Sequence, residues 1–110
     1  MSDAPLACRL DALGAADRAR HAVLLSELAS SGPAVEELAE GFAFRFPSRP
    51  YLFLRVAEWI GLERECCPFL AIRLDVEHAS RTLKVSVTGP AGAKELLRAE
   101  LPLAGAGVAP

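Results

Sequence analysis

Lysine is scarce in this chain, with Lys84 and Lys94 its only examples, and the arginines are dispersed rather than clustered. Twelve basic residues stand against 14 acidic ones, for a net charge of −2. No basic stripe is present of the kind that tracks a nucleic-acid backbone, so no nucleic-acid partner is expected. Long apolar runs are missing too. Nothing approaches the roughly 18–20 residues that a membrane-crossing helix needs. The stretch Met1–Cys8 has neither a basic start nor an apolar run, so it does not read as a signal peptide. These absences predict no membrane partner and a cytoplasmic protein. Cysteine is sparse and odd in number, three in all. An odd count in a reducing compartment argues against a disulfide framework and for free thiols.

What is present fits one domain. The length, 110 residues with 52% hydrophobic and 24% charged, suits a single core of modest depth. From Leu13 to Ser30, Leu13, Leu24 and Leu28 share one stripe of a helix, with Asp17 and His21 on it as well. Gly32-Pro33 ends that segment. Phe42, Phe44 and Phe46 alternate with Ala43 and Arg45 as a half-buried strand stopped by Pro47. Ser48 is placed to cap a second helix that starts near Pro50 and runs to about Cys67, where Pro68 forbids continuation.

Two further alternating runs follow. Leu70, Ile72, Leu74 and Val76 mark the first; Leu83, Val85 and Val87 mark the second. The short link His78–Arg81 predicts an antiparallel hairpin. A last helix begins near Pro90, capped by Thr88 or Gly89, and carries Leu96, Leu97 and Leu101. The expected fold is an α+β two-layer sandwich: a three-stranded antiparallel sheet with helices on one face, in the order α-β-α-β-β-α. Residues 1–101 form the domain, and 102–110 read as a flexible tail. Exposed sheet edges favour a homodimer.

The second helix carries the chemistry. With Leu52 set at zero, Val56, Ile60 and Trp59 project to about 40°, 80° and −20°, defining a buried stripe. Glu63 projects to about 20°, between Cys66 at about −40° and Cys67 at about 60°. A carboxylate in an apolar stripe is costly unless paired or neutralised. An ion pair with Arg20 or Arg45 is the structural account of it, and plain packing is that of the cysteines.

Adjacent helical cysteines do not bridge each other readily, because their Cα atoms sit only about 3.8 Å apart. Nor are they acidified, since they lie at the negative end of the helix beside a carboxylate, a field that raises a thiol pKa. A soft ion such as Zn(II), Hg(II) or As(III) changes this balance by displacing the thiol proton and supplying positive charge. Cys8 is the third sulfur available, and Glu63 or His21 offers a further ligand.

The candidate metal residues are therefore Cys66, Cys67, Cys8 and Glu63, with a thiophilic metal ion as the possible cofactor or cargo. Glu63 is also the candidate general acid/base of a thiol-dependent enzyme. A scaffold without chemistry is the third reading. His78 reads as an exposed turn residue, and Thr88-Gly-Pro-Ala-Gly92 as a turn and cap rather than a phosphate loop.

The run Glu63-Arg64-Glu65-Cys66-Cys67-Pro68-Phe69-Leu70, followed by an alternating strand pair and Thr88-Gly89-Pro90, resembles a family of small uncharacterised bacterial proteins. Its hallmark is a Glu-Arg-x-Cys-Cys-x-Phe-Leu segment, and Cys8-Arg9-Leu10 matches its early Cys-x-Leu. The resemblance implies an association with mercury- or metal-responsive regulators. It carries over to Cys8, Glu63, Cys66 and Cys67 alone.

Overall fold

The computed structural model describes residues 7–101. The tail expected over 102–110 lies outside them. After a single 3-10 turn at Leu10–Ala12, the elements are α1 (Ala15–Ser30), β1 (Ala34–Leu38), β2 (Gly41–Pro47), α2 (Pro50–Cys66), β3 (Ala71–Glu77), β4 (Thr82–Thr88) and α3 (Ala93–Glu100). The fold is α+β with an antiparallel sheet. The sheet has four strands rather than three, in the order β1-β2-β4-β3.

The added strand is β1. Its sequence Ala-Val-Glu-Glu-Leu has no period of two, and its burial does not alternate. Pairing with β2 makes it a strand, in a hairpin that sets Val35 opposite Phe44 and Leu38 opposite Gly41. Gly41 is needed there because a Cβ would collide with the Val87 carbonyl of β4. Paired acidic residues on an edge also discourage further strand addition.

Phe44, Val85 and Leu74 lie in one row across β2, β4 and β3, so one sheet face carries the apolar side chains. Phe42, Phe44, Phe46, Leu83, Val85 and Val87 meet Leu24 and Leu28 of α1, Leu52, Val56 and Trp59 of α2, and Leu97 of α3 in one core. All three helices therefore cover the same face, giving two layers. At the rim, Glu37 of β1 pairs with both Lys94 and Arg98 of α3, whose cationic groups also lie over the Phe42 ring.

Several details differ from expectation. Arg49, not Ser48, precedes α2, and no side chain caps it; the Ser48 amide donates instead to the Arg81 carbonyl of the β3–β4 turn. Helix α3 starts at Ala93 behind Gly92, whose φ of 94° is left-handed, rather than behind Thr88 or Gly89. Asp17 is exposed in the first turn of α1, where an acid complements the positive helix end. Val76, on the edge strand β3, is 55% exposed rather than buried as the alternation suggested.

Candidate functional site

The C-terminal turn of α2 is where the sequence-predicted residues meet. Leu52, Val56, Trp59, Glu63 and Cys66 are the buried residues of this helix, which is the inward stripe read from the sequence except that Ile60 is only partly buried. The helix ends one residue earlier than expected. Cys67 has left helical geometry, with φ −129° and ψ 68°, though its amide still donates to the Glu63 carbonyl at 2.8 Å. Pro68 accounts for this, since a proline disfavours helical backbone in the residue before it. Both sulfurs remain buried, in a small apolar cluster with Leu13, Leu62, Phe69 and Leu70, separate from the main core.

Cys8 reaches this site. The Arg9 amide donates to the Cys66 carbonyl at 2.7 Å, satisfying one of the orphan carbonyls of the helix end and laying the N-terminal segment across it. Cys8 and Cys67 are joined as a disulfide with a Cα–Cα distance of 4.7 Å, leaving Cys66 as the free thiol among the described residues. This corrects the expectation of three free thiols. An odd cysteine count excludes complete pairing but leaves one bond open to chains that bring two sulfurs together. The bond closes a loop of 59 residues in sequence separation. Reduction should cost about 2–4 kcal/mol of stability, read as a lower urea midpoint in a phosphine reductant, with a larger m-value because the unfolded chain opens further.

Glu63 is only 2% exposed. Its partner is neither Arg20, which holds Glu58, nor Arg45, which lies beside Glu36 and Glu77. Those arginines stay with carboxylates on the half-solvated surface. The partner is His21 of α1, whose imidazole Nε2–H donates to Oε2 at 2.6 Å. Histidine is 6% exposed there, and packing of α1 on α2 makes the contact. The signal for it was present in the sequence: a histidine and a glutamate, each on an apolar stripe, on two helices that must share one core.

The other carboxylate oxygen faces sulfur. Oε1 lies 3.1 Å from the Cys67 Sγ and 4.0 Å from the Cys8 Sγ. With those sulfurs bonded to each other neither carries a proton, so Oε1 receives no hydrogen bond from them. In the dithiol form the Cys67 S–H is placed to donate to it. Cys66 Sγ lies 3.8 Å from Cys67 Sγ and donates to the Glu63 carbonyl at 3.6 Å. Two donor sets result, sharing Glu63: Cys8, Glu63 and Cys67, and His21, Glu63 and Cys66, each with its ligand atoms within 4.8 Å of one another.

Burial, and then the Glu63 charge, pushes the Cys66 thiol up to about 11 from 9.0. The direction is that expected from sequence, although desolvation outweighs the carboxylate. Between these two values the native chain keeps a proton that the unfolded chain releases, so stability falls as pH rises from about 9 towards about 11. At pH 10 the loss from this one group is on the order of 1 kcal/mol. Urea titrations at pH 8 and pH 10 should show it, and Cys66→Ala should lack this component.

A cavity of about 200 Å³ opens over the site, lined in part by Cys8, Cys66, Glu63 and His21. A larger depression, about 650 Å³, lies between the β1–β2 turn and the β4–α3 loop and contains none of the sulfurs. No helix among the described residues is long and apolar enough to cross a membrane. Comparison of the chain with family models, with curated proteins and with solved structures returns no match.

Proposed function

We propose that this protein binds a thiophilic metal or metalloid ion, of the Hg(II), As(III) or Zn(II) kind, through its reduced cysteines. The observation that carries the reading is the convergence of Cys8, Cys67 and Cys66 around the Glu63 carboxylate, with His21 behind it. Soft thiolates select soft ions, and a cation removes the penalty built into the reduced site, buried thiols set against a buried carboxylate. Sulfurs close enough to bond each other are close enough to share one ion. His21 also fixes the carboxylate through Oε2 and leaves Oε1 towards the sulfurs.

The Cys8–Cys67 bond makes ion binding dependent on reduction. Two equivalents of a low-molecular-weight thiol supply the two electrons and two protons, yielding the protein dithiol and one small-molecule disulfide. Calorimetric titration of the phosphine-reduced protein with Hg(II), arsenite and Zn(II) tests the reading. Binding by the reduced form and none by the oxidised form supports it; no binding in either form overturns it.

The bonded pair also favours a second reading, thiol–disulfide exchange, in which an incoming small-molecule thiol displaces Cys67 from Cys8 and its proton passes to the departing Cys67 sulfur by way of the Glu63 carboxylate. That reading requires catalytic turnover of a small-molecule disulfide, whereas an ion site requires only stoichiometric binding.

A further inference from the structure

The cavity over the sulfurs is chemically one-sided. Cys8, Cys66, Glu63 and His21 bring sulfur, carboxylate and imidazole to it, Leu10, Ala22, Leu25 and Leu101 supply apolar wall, and Arg18 and Glu100 complete the lining. A bare ion has no use for such a wall, because closed soft-metal sites are filled by their own ligands. At about 200 Å³ the space exceeds the roughly 150 Å³ apolar cavity that admits benzene. Resting on the soft-ion reading, we infer that the site takes a soft ion that keeps one organic substituent, the class represented by a monoorganyl arsenic(III) species. The Cys8 and Cys67 sulfurs hold the arsenic, and the substituent enters the cavity from the Cys8 side, since Cys8 lines it and Cys67 does not.

The chemistry balances without an oxidant or reductant. In R–As(OH)₂ two arsenic–oxygen bonds break, two sulfur–arsenic bonds form, and each departing oxygen leaves as water with a thiol proton. Arsenic stays trivalent and the carbon–arsenic bond stays intact. Two thiolates complete such a centre, which matches a pair of cysteines that the fold holds within bonding reach. Inorganic arsenite, by contrast, takes a third sulfur, which Cys66 offers 3.8 Å from Cys67, and leaves the cavity empty.

The test compares phenylarsonous acid, methylarsonous acid and arsenite on the phosphine-reduced protein by calorimetry. The two organic probes share one coordination chemistry, so their affinity ratio isolates the cavity. Burying the larger substituent should make the phenyl compound at least about tenfold tighter than the methyl one. Ala22→Phe, at an exposed wall position on α1, fills the space and should bring that ratio close to one while leaving arsenite affinity unchanged. A wild-type ratio near one, or a ratio that survives Ala22→Phe, overturns the inference and leaves the soft-ion reading standing. Failure of all three probes, together with Hg(II) and Zn(II), removes both. Loss of arsenite binding in Ala22→Phe also counts against the inference, because the cavity wall would then be part of the ion's own site.

Discussion

Replacing Cys66 and Cys67 together by serine should weaken binding of Hg(II) or arsenite to the reduced protein by at least about a hundredfold. Outer-shell partners of a metal typically account for about 10–100-fold in affinity, and two inner thiolates exceed that. Serine keeps the volume and removes the soft ligand, so a change in fold is not needed to explain the result. Glu63→Gln should act more weakly and selectively. It preserves the helix and removes the charge, lowering Zn(II) affinity more than Hg(II) affinity, because a hard oxygen ligand matters more to the borderline ion. Cys8→Ser should fall between, since two sulfurs remain. Calorimetry with each variant in phosphine reductant measures all three. Undiminished affinity in the Cys66, Cys67 double variant would place the ion elsewhere and end the proposal for this site.

The second large effect is on stability and comes from the other side of the carboxylate. His21→Ala should cost about 3–5 kcal/mol, because it leaves Glu63 buried with no hydrogen-bond donor from a neighbouring side chain. That is a large part of the roughly 5–15 kcal/mol by which domains of this size are stable. Glu63→Gln should cost less, about 1–2 kcal/mol, since a neutral amide is cheaper to bury and can still accept from the imidazole. Replacing both by leucine should recover most of the loss, as apolar pairs of similar volume commonly match buried ion pairs. Urea unfolding of the oxidised protein at pH 7 separates the variants. A His21→Ala penalty below about 1 kcal/mol would mean that the imidazole does not hold the carboxylate. The pair would then be an expendable contact rather than the support of the site.

These two effects pull in opposite directions at one residue, which is the physical character of the site. Glu63 is stabilised on its Oε2 side by α1 and left unsatisfied on its Oε1 side by the disulfide. An apolar position would have been filled by leucine at less cost. The Arg20–Glu58 and Arg55–Glu27 pairs between α1 and α2 show the alternative, since those carboxylates lie at the half-exposed seam and cost little to charge. Holding Glu63 inward, against sulfur, keeps a buried carboxylate whose second oxygen has a sulfur donor only when Cys67 is reduced, and the proposed ion site rests on that feature.

Much of the architecture was legible because local rules carried it. The Phe42-Phe44-Phe46 alternation, the β3–β4 hairpin over His78–Arg81 and the stripe of α2 from Leu52 to Cys66 each follow from side-chain periodicity that no distant contact had to correct. Strand β1 was not legible: Val35 and Leu38 fall three apart with two glutamates between them. Only the backbone hydrogen bonds offered by β2 make that segment extended. The ends of α2 and α3 moved by a residue or a few for a related reason, since caps are set by the turn that follows and not by the helix itself.

The amino-acid sequence by itself determined that Glu63 and Cys66 lie on the buried face of one helix, and that Pro68 stops the helix beside them. Both follow from the 3.6-residue repeat and from proline's missing amide hydrogen. Only the tertiary structure decided what surrounds them. His21 sits 42 residues away and Cys8 lies 55 residues away in sequence. No periodicity couples segments so distant. The packing of α1 on α2 and the Arg9–Cys66 backbone hydrogen bond bring them in, turning a stripe of odd residues into an enclosed group of sulfur, carboxylate and imidazole.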